Sequence, residues 1–330
     1  MARITLALEG EATSSSLTNP FIEGQLSEHT RRAYRGDVAA FLAFIEARRG
    51  QTITNLDRTL VTIRKEEVLA FRNAMVKAGY SPSTINRRLS TIRQVLEDAK
   101  ERGIVEHNVA KKVKGLLDTW TPRSCALTSQ EAQALLDAPD RTTLLGLRDK
   151  VILSLMLLCG LRVSEVVALA PSQISTSYGY HVLRFMGKGK KRATLKIPEP
   201  LTDLIEEYRK ASALAGRRIG RNDPLFVHMA KHKEDDEVQY LPASDKALST
   251  RAVAKLVKRY AKQAGLDPEE IHPHVLRHTF VTLAIDGGAN VFRVQRAARH
   301  ASVTTTQRYY SPKEDLEDNP SDYILEHVRV

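Results

Sequence analysis

The sequence predicts a mainly α-helical protein with a small β-sheet, divided into two domains. Apolar residues recur at the spacing of one helix face through much of the 330-residue chain, as in amphipathic helices packed on a core. Only two short segments alternate as strands do. A stretch without periodicity, residues 119–125, contains Pro122 and is interpreted as a linker between two helical blocks. A chain of this length is long enough for two separate cores.

Residues 25–118 are predicted to form one helical domain. Its first helix follows a candidate N-cap at Ser27, and a second helix carries Phe71 and Met75. A third helix begins after Ser81 and Pro82. The apolar positions that define the first and third helices are Tyr34, Val38, Phe41, Leu42 and Ile45, and then Ile85, Leu89, Ile92 and Leu96. Residues 1–24 are expected to be a loose tail, because Ser and Thr dominate residues 10–19.

Basic side chains outnumber acidic ones, with 50 Lys and Arg against 39 Asp and Glu, for a formal net charge of +11. Such an excess favours a polyanionic partner, although charge alone fits an indifferent basic surface equally well. A polar, mostly basic face lies on the third helix and continues into the segment after it: Asn86, Arg87, Arg88, Arg93, Lys111, Lys112 and Lys114. This face is either solvated or in contact with DNA, and the downstream lysines favour DNA contact.

The second domain is predicted to be mostly helical around one short sheet. Thr128 and Glu131 form a capping box that opens its first helix. Residues 151–159 are apolar on all sides, which indicates a buried helix that ends at Gly160 in a left-handed cap. His181–Phe185 and Arg192–Ile197 are predicted strands joined by a turn over residues 187–190. Residues 231–246 are interpreted as a charged loop without an assigned use.

Several classes of protein are disfavoured. The two cysteines, Cys125 and Cys159, have no C-x-x-C spacing, which argues against a disulfide framework or a zinc ribbon and fits a reducing cytoplasm. The apolar run Met1–Leu8 is too short for a signal peptide and is followed by Glu9. The longest apolar stretch, residues 151–159, is too short to span a bilayer. We therefore expect a cytoplasmic protein without a membrane partner.

The segment Gly160-Leu161-Arg162-Val163-Ser164-Glu165 contains a candidate anion-binding arginine. Arg162 lies between the end of a buried helix and the start of another, where backbone N–H groups attract anions. A guanidinium there can hold a phosphate through two parallel hydrogen bonds. The alternative is a structural ion pair between Arg162 and Glu165, and the segment alone does not distinguish the two.

A second motif, residues 272–280, places His274 and Arg277 one turn apart on a helix that starts at Pro273. An imidazole beside a guanidinium suits an anionic substrate that needs both charge neutralisation and proton transfer. Two alternatives stay open: a zinc pair of His274 with His278, and surface histidines without a role.

A third motif runs from Arg299 to Tyr310 and contains His300 and two adjacent tyrosines, Tyr309 and Tyr310. Taken alone, paired tyrosines are usually packing residues. The turn 187–190, Gly-Lys-Gly-Lys, lacks the G-x-x-x-x-G-K-[ST] pattern of a phosphate-binding P-loop.

Together these motifs resemble the tyrosine recombinase or phage integrase family, in its Xer-like form. The residues that carry the resemblance are Arg162, Lys188, His274, Arg277, His300 and, nine residues after it, Tyr309. The likeness extends from about Leu26 to Pro312 and includes LSEHTRRAYRGDVAAFLAFI and SPSTINRRLSTIR. One departure is Arg299, because the residue before this histidine is usually glycine; it puts the local backbone conformation in question.

The resemblance implies a helical core-binding domain over residues 25–118, a catalytic α+β domain over 126–312, and a C-shaped clamp on DNA. It implies that Tyr309 is the nucleophile, that Arg162 and Arg277 clamp the phosphate, and that Lys188 is the general acid. His274 then assists proton transfer and His300 supports the phosphate. No cofactor or metal is expected, because the ester energy is kept in a 3′-phosphotyrosine bond.

The expected partners are double-stranded DNA with paired short sites and further copies of the chain, as a tetramer with a Holliday-junction intermediate. DNA-contact candidates are Arg87, Arg88, Arg93, Lys111, Lys112 and Lys190. Residues 313–330 are expected to be a tail that contacts a neighbouring subunit. Two other functions remain as alternatives: DNA relaxation in the manner of a type IB topoisomerase, and a catalytically silent DNA-binding regulator.

Overall fold

The computed structural model describes residues 19–25, 27–117, 126–186, 192–234, 237–300 and 306. The chain divides into two compact units, Met1–Trp120 and Thr121–Val330. The linker expected at residues 119–125 lies outside the described residues, as do the turn 187–190 and the tail 313–330. Within the described ranges, no helix is long and apolar enough to cross a bilayer.

The described part of the first unit contains five helices: α1 Pro20–Glu23, α2 Glu28–Arg49, α3 Leu56–Thr62, α4 Lys65–Lys77 and α5 Pro82–Glu101. The predicted caps are present, because Ser27 Oγ accepts the amide of Thr30 at 3.4 Å and Ser81 Oγ accepts that of Thr84 at 3.3 Å. The apolar faces of α2, α4 and α5 meet in one core, so the three helices predicted from periodicity are confirmed.

The expectation of a loose tail through residue 24 is wrong for its last part. Residues 20–23 form α1, with Asn19 as its N-cap and Pro20 in its first turn. Ile22 is 2% exposed and joins the core of the first unit, and the ring of Phe21 stacks on Tyr34 at 5.8 Å. The N-cap, the proline in the first turn and the packing of two apolar side chains stabilise this short helix. The Ser- and Thr-rich composition of the preceding residues gave no indication of it.

The polar face of α5 is neither simply solvated nor open. Asp37 on α2 is 1% exposed; it pairs with Arg87 and accepts a hydrogen bond from Thr91 at 2.8 Å. Arg88 lies 3.8 Å from the same carboxylate, and its guanidinium stands 4.6 Å from the centre of the Tyr80 ring.

The rest of that face holds the segment that follows α5. Arg93 donates to the carbonyl of Val113 at 2.6 Å, and the Asn86 amide exchanges two 2.8 Å hydrogen bonds with the backbone of Leu116. The polar face of α5 therefore fixes the chain segment that presents Lys111 and Lys112, whose side chains are exposed.

The second unit combines seven helices with five strands in the described residues. Its helices are α6 Ser129–Asp137, α7 Leu144–Cys159, α8 Val163–Val167, α9 Glu199–Leu214, α10 Thr250–Gln263, α11 Pro273–Asp286 and α12 Val291–Ala298. Its strands are β1 Ile174–Ser177, β2 Tyr180–Met186, β3 Arg192–Lys196, β4 Val227–Glu234 and β5 Glu237–Ala247. Thr128 and Glu131 form the predicted capping box of α6.

Helix α7 is the centre of the second unit. It is buried on nearly all sides, as its uniform apolarity predicted, and α9 and α11 pack against it. Its two buried charges are neighbours: Asp149 is 0% exposed and accepts from Arg148 at 2.6 Å, and it also pairs with Arg259. The helix ends at Gly160, which has the predicted left-handed conformation with φ 56°.

The first sheet has the antiparallel order β1-β2-β3, with Leu183 opposite Leu195. Strands β2 and β3 confirm the two predicted strands. The interpretation of residues 231–246 as a loop is wrong, because β4 and β5 form a hairpin there with Glu234 opposite Glu237. At residues 231–233 and 239–247, both faces of this hairpin are largely exposed, so these side chains lack the apolar alternation by which a strand is recognised.

We expect Asp37→Asn to lower the free energy of unfolding of the first unit by about 2–3 kcal/mol, because it leaves Arg87 and Arg88 without their buried counter-charge. Hydrogen exchange of the α2 and α5 amides measures this local stability, with α10 as an internal reference. The control is Asp57→Asn: Asp57 is 45% exposed and 3.2 Å from Arg102, and its loss should cost less than about 1 kcal/mol. Equal losses in the two variants would contradict a central role for Asp37.

Candidate active site

The first element of the site is the corner between α7 and α8. Arg162 is the N-cap of α8, and Glu165 returns to it: Oε2 accepts the Arg162 amide at 2.8 Å and Oε1 accepts its Nη1 at 2.9 Å. The structural ion pair considered from the sequence is thus present, and the Arg162 amide is occupied rather than open to an anion. The Arg162 side chain remains 26% exposed, so its guanidinium can still be reached by a ligand.

The second element is the first turn of α11. Pro273 begins this helix as predicted, and Arg277 faces inward with 4% exposure while His274 is exposed. Arg277 Nη1 donates to the carbonyl of Gly160 at 2.5 Å, and its Nη2 donates to the carbonyl of Ala298. Arg277 therefore joins the corner after α7 to the end of α12.

The third element is the end of α12. Arg299 is the C-cap and has a left-handed backbone with φ 55° and ψ 43°, a conformation that glycine adopts most easily. Arg299 therefore adopts a turn that glycine would adopt without strain. His300 follows, and its Nδ1 lies 2.9 Å from the hydroxyl of the buried Thr306.

The side chain of Arg299 turns into the site, which the sequence did not predict. Its Nη2 donates to Glu165 Oε2 at 2.7 Å and to the carbonyl of Gly160 at 3.1 Å. Its guanidinium carbon stands 5.0 Å from the centre of the Phe185 ring on β2. In return, the backbone carbonyl of Arg299 accepts Arg162 Nη2 at 3.2 Å. The only early signal of this role was the unusual residue before His300.

Burial first, and neighbouring positive charges second, keep the imidazoles of the site neutral. Desolvation, followed by the charges of Arg277 and Arg162, lowers the pKa of His300 to about 4. Desolvation and the neighbouring His274 lower the pKa of His278 to about 4. The pKa of His274 is also lowered, by desolvation first and then by His272, Arg277 and Arg162. At neutral pH the site therefore offers guanidinium charges together with imidazoles that can accept a proton.

The described residues contain no group of three His, Cys, Asp or Glu side chains arranged to hold a metal ion. The His274 and His278 rings, considered as a zinc pair, have centroids 6.4 Å apart. The chemistry available here is anion binding by guanidinium groups beside neutral imidazoles. That combination suits a phosphodiester, which needs charge neutralisation and proton transfer.

Four of the six predicted catalytic residues come together from three parts of the chain: Arg162 at the start of α8, His274 and Arg277 on α11, and His300 after α12. Lys188 and Tyr309 lie outside the described residues, as do Lys190 and Tyr310. The residues that sequence reasoning missed are Arg299 as a member of the site and Thr306 as the partner of His300. Thr306 follows His300 by six residues, and a threonine at that distance gives no sequence signal that it contacts the histidine.

Residues 126–315 match the phage integrase family, and residues 20–103 match the phage integrase N-terminal SAM-like domain. The chain belongs to the phage integrase family. The tyrosine recombinase XerD of Xanthomonas axonopodis pv. citri is 33% identical over 292 residues, which cover 87% of this chain and 88% of that protein. The tyrosine recombinase XerC of Syntrophus aciditrophicus is 28% identical over 297 residues, covering 87% and 88%. The predicted Xer-like tyrosine recombinase assignment is confirmed.

Solved structures share the fold. The site-specific recombinase XerH bound to palindromic difH, in a post-cleavage complex, aligns with a TM-score of 0.62 at 18% identity and covers 89% of this chain and 80% of that one. The Tn1549 transposon integrase in complex with transposon right end DNA aligns with a TM-score of 0.63 at 16% identity, covering 93% and 96%. The predicted fold class, a helical N-terminal domain with a mainly helical catalytic domain, is confirmed.

Stability should decrease as the pH falls from about 6.5 to 4. Unfolded histidines bind protons near pH 6.5, whereas His278 and His300 in the folded chain do so only near pH 4. The unfolded state therefore binds more protons between about pH 6.5 and 4. The free energy of unfolding consequently decreases as the pH is lowered through this range. Above about pH 6.5 both histidines are neutral in both states and contribute no slope.

Urea unfolding across this pH range measures the effect. We expect His300→Gln and His278→Gln each to remove on the order of 1 kcal/mol of the pH-dependent loss. His228→Gln is the control, because His228 is exposed on β4. Unchanged pH slopes in both site variants would show that these imidazoles are not held neutral by the site.

Proposed function

We propose that this chain cuts and rejoins DNA strands at paired short sites, through a 3′-phosphotyrosine intermediate and a Holliday junction. The observation that carries this proposal is the convergence of Arg162, Arg277, His274 and His300 in one cationic site. Membership of the phage integrase family supplies the reaction class in which that arrangement works.

In the proposed reaction, Arg162 and Arg277 neutralise the non-bridging oxygens of the scissile phosphate. Tyr309 attacks the phosphorus atom. A bond forms between the phenolic oxygen and phosphorus, and the bond to the 5′-oxygen breaks. A phenol with a pKa of about 10 needs help to lose its proton, and the neutral imidazole of His274 can accept it.

The leaving 5′-oxygen takes a proton from Lys188, so that atoms and charges balance. His300 supports the phosphate by hydrogen bonding and is oriented by Thr306 at 2.9 Å. Rejoining is the reverse: a 5′-hydroxyl attacks the phosphotyrosine and Tyr309 leaves. Because the ester bond conserves the energy, the proposed reaction needs neither a nucleotide cofactor nor a metal ion.

Both units are proposed to contact DNA, residues 25–118 as a core-binding domain and 126–312 as the catalytic domain. In the first unit, Lys111 and Lys112 are better contact candidates than Arg88 and Arg93, because Arg88 is nearly buried beside Asp37 and Arg93 bonds to backbone carbonyls. Arg87 keeps a half-exposed side chain although it pairs with Asp37.

The functional assembly is proposed to be a tetramer on two DNA sites in the cytoplasm, with residues 313–330 contacting a neighbouring subunit. The segment contains the apolar residues Tyr323, Ile324, Leu325 and Val328, which must bury their side chains somewhere.

A chain lacking residues 321–330 should bind one site normally but lose cooperative binding to two adjacent sites. Unchanged cooperativity in a gel-shift titration would argue against the subunit contact.

Tyr309 is expected to be the nucleophile. The sequence predicts a short helix that carries Tyr309 and Tyr310, and neighbours on a helix point about 100° apart, so both cannot face one phosphate. Tyr309→Phe should bind DNA but form no covalent adduct on a nicked duplex, because phenylalanine has no hydroxyl to attack the phosphate, while Tyr310→Phe forms the adduct. A denaturing gel of protein and DNA measures this, and an adduct formed by Tyr309→Phe would refute the assignment.

The same substrate separates the alternative functions. Covalent trapping by the unmodified chain excludes a silent regulator. Exchange of strands between two duplexes excludes an enzyme that only relaxes supercoils.

We expect Lys111→Ala/Lys112→Ala to flatten the salt dependence of DNA binding. Each lost phosphate contact reduces the slope of log affinity against log salt by about 0.9, so the slope should change by up to about 2. Lys77→Ala/Lys100→Ala, which removes two exposed lysines of the same unit, is the matched control. If the two double variants show equal slopes at equal charge, Lys111 and Lys112 have no particular role.

A further inference from the structure

We propose that Arg299 is a positioning residue that keeps the charge of Arg162 available for the phosphate. The inference rests on the proposed function, because it concerns the same site. Arg299 itself lies behind Arg162, and its side chain is 13% exposed. It therefore acts on the phosphate through Glu165 and Arg162.

The geometry is a carboxylate shared by two guanidinium groups. Glu165 is 8% exposed; its Oε1 accepts Arg162 Nη1 at 2.9 Å, and its Oε2 accepts Arg299 Nη2 at 2.7 Å. The backbone is linked as well, because the Arg299 carbonyl accepts Arg162 Nη2 at 3.2 Å. Arg162 is thus held from two sides by partners that Arg299 either contacts or provides.

Charge explains why the second arginine matters. The Arg162–Glu165 pair alone is neutral, and a phosphate would have to compete with the carboxylate for the guanidinium. Arg299 supplies a second counter-charge to Glu165, so the three side chains together carry one net positive charge. An incoming phosphate then meets an arginine whose carboxylate partner is already compensated.

The backbone shows that the side chain is held in place at some cost. A residue other than glycine is disfavoured in the left-handed conformation, which Arg299 nevertheless adopts with φ 55°. Three contacts hold its side chain inward besides Glu165: the carbonyls of Gly160 at 3.1 Å and Ala297 at 2.8 Å, and the Phe185 ring. Arg299→Gly would remove both the backbone strain and the positive charge, whereas Arg299→Gln would remove the charge alone. Comparing the two variants separates the effect of the strain from the effect of the charge.

The experiment uses the full chain and a nicked duplex carrying the site that the wild-type protein traps in covalent adducts. The rate of adduct formation is measured at saturating DNA, the affinity by gel shift, and folding by circular dichroism at the assay temperature. Arg299→Gln and Arg299→Gly should both slow adduct formation at least 10-fold while affinity changes less than about 3-fold, because remote phosphates dominate binding. Arg299→Lys, which keeps the charge, should retain most of the rate.

A compensating variant separates positioning from a purely structural role. In Arg299→Gln the charge of Glu165 opposes the phosphate, and Glu165→Gln removes that charge while keeping a side chain that can cap α8. The double variant Glu165→Gln/Arg299→Gln should therefore recover adduct formation to within about 3-fold of wild type, since the opposing charge is gone. Arg141→Gln is the control, because Arg141 forms an exposed ion pair with Glu207 at 2.5 Å.

Each outcome decides a separate question. If the wild-type chain forms no adduct, the proposed function is wrong and this inference falls with it. If wild type and Arg299→Gln form the adduct equally fast, the inference alone is wrong. A folded double variant that stays as slow as Arg299→Gln would show that Arg299 does not act through the charge of Glu165.

Discussion

The carbonyl of Gly160 accepts hydrogen bonds from two arginines, and the site depends on this shared acceptor. Arg277 from α11 and Arg299 from the end of α12 both reach it, at 2.5 and 3.1 Å. Gly160 can present that carbonyl because its left-handed turn ends α7 abruptly. A side chain at Gly160 would also collide with the ring of Phe280, so the turn and the helix packing require the same residue.

Because the Gly160 carbonyl binds both Arg277 and Arg299, it also concentrates positive charge in the site. Three arginines with one buried carboxylate, Glu165, leave the site with an excess of positive charge. Desolvation, and after it this charge, keeps the imidazole of His300 in its neutral form. Burying so many like charges is unfavourable for folding. Such an arrangement is understandable where a polyanionic substrate supplies the missing negative charge.

The first unit uses arginines in a different way. Asp37 gathers Arg87 and Thr91 between α2 and α5, while Arg93 bonds to carbonyls of the segment that follows. These contacts stabilise the surface that carries exposed lysines. A basic residue in such a domain is therefore not by itself a DNA contact. Burial and partners distinguish the arginines that hold the surface together from the exposed lysines that are free to bind a ligand.

The sequence by itself determined the helical framework, the two sheet strands after Gly160 and four of the site residues, because periodicity, caps and motif spacing are local properties of the chain. It did not determine the exposed hairpin β4–β5, whose two wet faces leave no alternation, or the ordering of α1 by Ile22. The role of Arg299 was decided only by tertiary structure. Its partner Glu165 is 134 residues away in sequence. A local sequence pattern cannot show that so distant an arginine will share this carboxylate with Arg162.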